Sequence, residues 1–128
     1  MANELRLTNA TLEMNGVVRS YVPGSITFTK GWAEYKVEAL SNGGDNVEVV
    51  VSEDITTKKS DFKVSLPSTT ANINLIDEFK NAFPDGITIL LYKDDFSVAY
   101  SNMILTNKPD VPISSDDSIE MEFEGKSL

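Results

Sequence analysis

Cysteine and histidine are both missing from this 128-residue chain. Without thiols there is no disulfide framework and no thiolate metal site, and the redox compartment is left open. Without imidazole as well, zinc ligation, Ser-His-Asp triads and Cys-His dyads each lose an obligatory member. Long apolar runs are scarce too. The longest, residues 49–51 and 89–92, are strand-sized and far short of a membrane span. Met1-Ala2-Asn3-Glu4-Leu5-Arg6 lacks the basic start and apolar stretch of a secretory signal, so none is expected. Positive charge is in short supply: 11 bases face 20 acids, for a formal charge of −9. Wrapping nucleic acid by phosphate neutralisation needs clustered Lys and Arg, and the balance argues against it. A surface built to repel nucleic acid remains open.

What is present reads as one β-rich domain over residues 1–128. A chain of this size hides roughly two-thirds of its unfolded surface, enough for one core without covalent staples. The most regular stretch is 34–66. Residues 34–40 and 47–54 flank Ser41-Asn42-Gly43-Gly44-Asp45-Asn46, whose glycines supply the positive φ that hairpin turns need, and a third strand follows at 60–66. A second hairpin is expected around Asn15-Gly16, and residues 25–30 alternate as a strand that Gly31 ends. Trp32 lies in the connection to the long hairpin. An indole there either packs in the core, the first expectation, or anchors a partner. Ile73, Ile76, Phe79 and Phe83, with Leu75 and Ala82, recur at helical spacing, with caps available in 68–72 and a stop at Pro84-Asp85-Gly86. Further strands are expected at 87–92, 96–101 and 103–106. The last, Ile119-Glu120-Met121-Glu122-Phe123-Glu124, alternates so that odd positions face a core. About nine strands and one helix predict an antiparallel β-sandwich or partial barrel with a flanking helix.

Several constellations have ordinary explanations. Asp94-Asp95 fits a turn. Asp116-Asp117 with Ser114 and Ser115 matches no calcium-loop spacing. Gly43-Gly44 lacks the Lys-Ser/Thr and following helix of a phosphate loop. No pair of carboxylates is singled out for glycoside chemistry. The acids themselves stand out: residues 110–124 hold six and no base, and Glu120, Glu122 and Glu124 on one strand face stand about 7 Å apart, a spacing that needs water or cations. Residues 47–54 show a comparable face through Glu48, Ser52 and Asp54. Lys58 and Lys59 are either solvated or reach the acidic face of another copy. A long ribbon also leaves unpaired edges that something must cover.

The order of these elements is similar to that of the tail tube proteins of contractile-tailed bacteriophages. The resemblance covers about residues 15–125 and rests on Pro23-Gly24-Ser25 opening a strand and on Gly31-Trp32-Ala33-Glu34 leading into the long hairpin. A lone helix after Leu66-Pro67-Ser68 and the closing acidic strand through Gly125 complete it. It implies hexameric rings stacked into a hollow tube, with inner sheets joined into a β-barrel across subunits. The resemblance further implies sheath and baseplate proteins as partners, DNA passing through without specific binding, and no catalytic residue, cofactor, metal or membrane insertion. The location implied is the virion tail, after assembly in the host cytoplasm. Glu48, Ser52 and Asp54 are then the first candidates to line the bore, with Glu120, Glu122 and Glu124 as the rival set. Ser41, Asn42, Gly43, Gly44, Asp45, Asn46, Lys58 and Lys59 are candidate contacts to the next subunit or ring. The inner tube of a related injection apparatus, such as a type VI secretion system, shares this fold. From another class, a monomeric β-sandwich binding module stands as the alternative.

Overall fold

The computed structural model describes residues 9–41, 43–44, 46–54, 59–114 and 116–127. Among them the chain is mainly β with antiparallel strands and one helix. In order these are β1 (Thr11–Met14), β2 (Val17–Arg19), β3 (Thr27–Thr29), β4 (Glu34–Ser41), β5 (Val47–Asp54), β6 (Ser60–Pro67), α1 (Thr70–Asn81), β7 (Ile87–Lys93), β8 (Phe96–Leu105) and β9 (Ser118–Ser127). Seven strands form one sheet in the order β2-β1-β7-β8-β9-β6-β3, and β4 and β5 pair only with each other.

Period-two burial explains the large sheet. Leu12 and Met14 of β1, Phe62, Val64 and Leu66 of β6, Ile87, Ile89 and Leu91 of β7, and Ile119, Met121 and Phe123 of β9 all turn to one core. Each such burial stabilises the fold by roughly 1.5–3 kcal/mol. Strand β8 changes parity midway: Val98 and Tyr100 are buried, and then Met103 and Leu105. Asn102, at φ 56, is the extra residue of a bulge that resets the alternation, which shifts the register on both sides. Residues 96–101 and 103–106, expected as separate strands, are therefore one continuous strand. Gly86 and Gly125 pack against this bulge: a Cβ on either would stand 2.7 Å from a backbone atom of Asn102.

The sheet is curled. In a flat sheet β3 and β8, separated by two strands, would lie about 14 Å apart. Instead Phe28 of β3 meets Phe96 at 5.9 Å and Tyr100 at 6.5 Å between ring centroids. The Tyr21 hydroxyl donates to the Ala10 carbonyl across the opposite margin. Asn15 (φ 54) and Gly16 (φ 84) form the β1–β2 turn with both residues left-handed, as a two-residue hairpin requires.

Helix α1 is capped by Thr69, whose hydroxyl accepts from the Asn72 amide at 3.2 Å. Leu75 and Phe79, one turn apart, are its buried residues, and Phe79 sets its ring edge-on to Phe123. Lys80 ties the last turn to the sheet by donating to the carbonyls of Leu105 and Asn107. The expected apolar stripe runs one residue too far. Phe83 lies beyond the helix and is 71% exposed, because Pro84 disfavours the helical conformation for the residue before it. Trp32 is also a correction: it is 62% exposed, since the neck leading out to β4 leaves the large sheet and offers the indole no core face.

Candidate assembly interface

The ribbon of β4 and β5 is set apart from the rest of the fold. Its register pairs Tyr35 with Glu53, Val37 with Val51, Ala39 with Val49 and Ser41 with Val47. Directly opposed residues share a face, so one side carries Tyr35, Val37, Ala39, Ser41, Val47, Val49, Val51 and Glu53, apolar except at Ser41 and Glu53. The other side carries Glu34, Lys36, Glu38, Leu40, Glu48, Val50, Ser52 and Asp54. The apolar side is uncovered: Val37, Val47, Val49 and Val51 are 61–65% exposed. Soluble monomers seldom present a contiguous apolar patch of this kind. Among the described residues neither strand has a second strand beside it, so both ribbon margins lack ladder partners.

Glu48, Ser52 and Asp54 all fall on the charged side, as their spacing predicts. Four acids stand there against one lysine, a net −3. Lys36 lies 2.6 Å from Glu38. At the far end of the ribbon, Gly43 and Gly44 take φ of 92 and 63 and close the turn, with Ser41 and Asn46 beside them. Asn42, Asp45 and Lys58, the remaining candidates at the tip and the following loop, lie outside the described residues.

The second acidic set is arranged differently. Glu120, Glu122 and Glu124 project from β9 opposite Ser65, Lys63 and Asp61 of β6. The cations that this spacing calls for come from the neighbouring strand. Lys63 reaches Glu120 at 2.6 Å and Glu122 at 3.6 Å, and Lys59 reaches Glu124 at 2.8 Å. The hydrogen bond and charge of Lys59 hold the Glu124 carboxyl below its ordinary range. The bond from Glu124, and its charge, raise the Lys59 amine in turn. Lys59 thus engages the acidic face of its own chain. Residues 110–124 gave no hint of this, because the bases come from β6 and the residue just before it, about sixty residues earlier. Four acids against two lysines leave this face at −2.

Two features escaped the sequence reading. Asn107 extends the β8–β9 ladder with its side chain, donating to the Glu120 carbonyl at 2.9 Å and accepting from the Glu122 amide at 3.0 Å. A pocket of about 430 Å³ opens where the two margins of the curled sheet approach, lined by Ala10, Tyr21, Pro23, Ile26, Phe28 and Leu91, with Asn9 and Ser20 among its polar residues. Among the described residues no group of three or more acids converges as a metal site, and no helix is long and apolar enough to cross a membrane. No family model matches the chain, and neither does any curated protein.

Proposed function

We propose that the chain is a structural subunit of a contractile-tail tube, assembling in hexameric rings that stack around an acidic bore. The observation that carries this reading is the ribbon: eight residues per strand, one largely apolar face uncovered, one acidic face and, among the described residues, two margins without ladder partners. Such an element is completed by pairing with identical copies, and closing a barrel across subunits removes every free edge.

Barrel geometry decides how many strands the wall needs. Six copies giving two strands each make about twelve strands, spaced about 4.8 Å and tilted about 40°, hence a barrel about 24 Å across between backbones. Side chains reaching about 5 Å inward on each side leave a bore of about 14 Å. A DNA duplex is about 20 Å across, its two grooves being each about 8 Å deep. The ribbon alone is therefore too little wall. With four strands per copy the same arithmetic gives about 48 Å between backbones and a bore of about 38 Å. The natural second pair is β3 with β6, since β3 leads straight into β4 and is itself a margin of the large sheet. The ribbon set, at −3 per copy, then lines this wall beside Asp61 and Lys63 of β6, and the β9 glutamates stand just outside its four strands.

Duplex in such a bore stands about 9 Å from the wall, close to the screening length of about 8 Å in physiological salt. The acids discourage adhesion without pushing DNA from afar. Sheath and baseplate proteins are the partners this reading requires.

Light scattering and negative-stain microscopy of the purified chain test it. Rings or hollow rods are expected, and a strictly monomeric species at high concentration would end it. The apolar pocket supports a second reading, a monomeric binding module. That reading predicts the single copy and tight binding of a small apolar molecule.

A further inference from the structure

The pocket between the margins of the curled sheet is lined by no acid, in a chain with 20 acids against 11 bases. Ala10, Ile26, Phe28 and Leu91 make it mostly apolar, and Asn9 and Ser20 add uncharged polar groups. Its volume of about 430 Å³ lies within the range of small-molecule sites. At about 30 Å³ for each water-sized unit, it holds a body of roughly ten to fifteen non-hydrogen atoms.

Arg19 stands at the β2 edge of this pocket. It pairs with Leu12 of β1, and Leu12 pairs with Leu91 of β7, so the three form one row on one face of the sheet. Leu91 lines the pocket, and so does Tyr21, two residues beyond Arg19. Glu13, the acid of β1, pairs with Val18 and Leu90 and falls on the opposite face. The Nε of Arg19 is buried, and among the described residues it has no hydrogen-bond partner. A buried N–H without an acceptor costs the fold the desolvation of that group, so its presence calls for a reason. The guanidinium is a planar fork of five donors that matches a carboxylate.

We infer that the pocket binds a small aromatic or aliphatic carboxylate, its apolar body among Ala10, Ile26, Phe28 and Leu91 and its anionic head on Arg19. An anion is favoured over a neutral apolar molecule because the register brings to the pocket a cation with a donor to satisfy, and no carboxylate lines the pocket to oppose the ligand. The site belongs to the protomer and needs no second copy. It shares the pocket with the binding-module reading above but not that reading's single copy, so it stands whether or not the chain assembles.

The probe is 2-naphthoate, which is of this size, and its control is 2-naphthamide, the same shape without the charge. Calorimetric titration of the purified chain at neutral pH shows the carboxylate binding about ten- to hundredfold more tightly, the worth of a hydrogen bond to a charged group. In Arg19→Gln, a change at a half-buried position of a margin strand, that advantage disappears while the amide binds as before. Nuclear Overhauser effects from the naphthyl protons to the methyls of Ala10, Ile26 and Leu91 place the probe. An amide that binds the wild type as tightly as the carboxylate does, a preference that survives Arg19→Gln, contacts to other methyls, or a wild type that binds neither compound overturns the inference. The comparison of the two compounds on the wild type requires no variant to fold, and circular dichroism checks the fold of Arg19→Gln. Light scattering reads assembly separately: a monomer that binds naphthoate through Arg19 keeps this inference and ends the tube reading, and tubes that ignore naphthoate do the reverse.

Discussion

Placing a carboxylate at the centre of the ribbon's apolar face, by Val49→Asp, separates folding from assembly. In the protomer Val49 is 61% exposed and faces Ala39 across the ribbon, so the substitution touches nothing in the core. Exposed substitutions of this kind usually change stability by less than about 0.5 kcal/mol, a melting shift of about 2 °C for a chain this size. In the proposed wall the same position would be covered. Full burial of a valine is worth about 1.5–3 kcal/mol, so covering the exposed part contributes about 1–2 kcal/mol per contact. Burying the new carboxylate costs at least about 1–3 kcal/mol more. Together these raise the critical concentration at least about thirtyfold, since about 1.4 kcal/mol is a factor of ten. Sedimentation of wild type and variant across a concentration series measures the shift. Glu48→Gln, one residue away but on the charged side, should leave assembly within a factor of about two. If Val49→Asp polymerises at the wild-type concentration, the apolar face is not the surface that assembly covers, and the central argument fails.

Three further outcomes follow from the geometry. Glu48→Lys with Asp54→Lys should leave tubes intact yet slow genome passage, most at low salt, because the wall acts over about one screening length; unchanged ejection kinetics would remove the electrostatic role. The Glu124 carboxyl should titrate below the ordinary glutamate range by NMR and return toward it in Lys59→Met. A depressed carboxyl stabilises the fold above its unfolded pKa, and that stabilisation disappears as pH falls through the folded value, so acid sensitivity should lessen in the variant. Gly86→Ala should destabilise by about 1–3 kcal/mol in urea unfolding, from strain at positive φ and from a Cβ driven into the bulge. That Gly86 holds φ 75 with backbone atoms 2.7 Å from the would-be Cβ leaves no flexible neighbour to yield.

Much of the fold follows from local rules that the residues state openly. The Asn15-Gly16 and Gly43-Gly44 turns, the capped helix and the alternation of Ile119, Met121 and Phe123 each depend on near neighbours, and the structure has them where the pattern predicts. The misses depend on distant ones. Residues 96–106 look like two strands because a change of parity and a gap look alike until Asn102 is seen to bulge. Trp32 carries no mark of its surroundings, since indole composition favours a core that the neck does not provide. The lysines on and just before β6 that pair with the β9 glutamates become visible only through the register that places Lys63 opposite Glu122.

The ribbon shows the same limit in another form, and it also shows why the acids sit where they do. Alternation in residues 47–54 says that one side is to be covered without saying by what. A two-faced valine ribbon would satisfy that demand indiscriminately, stacking on copies of itself from either side as a fibre does. Glu34, Glu38, Glu48 and Asp54 forbid one of the two sides, because bringing two such faces together sets like charges against each other away from water. Apolar burial then acts in a single direction, and growth is confined to arrangements that keep every acidic face wet. A closed ring with the acids turned to an aqueous bore meets that condition with no free margin left over, whereas an open stack of ribbons keeps two. In the proposed tube the placement of these carboxylates would select the mode of assembly before any DNA is present, and any effect on passing phosphates would be a consequence of the same arrangement.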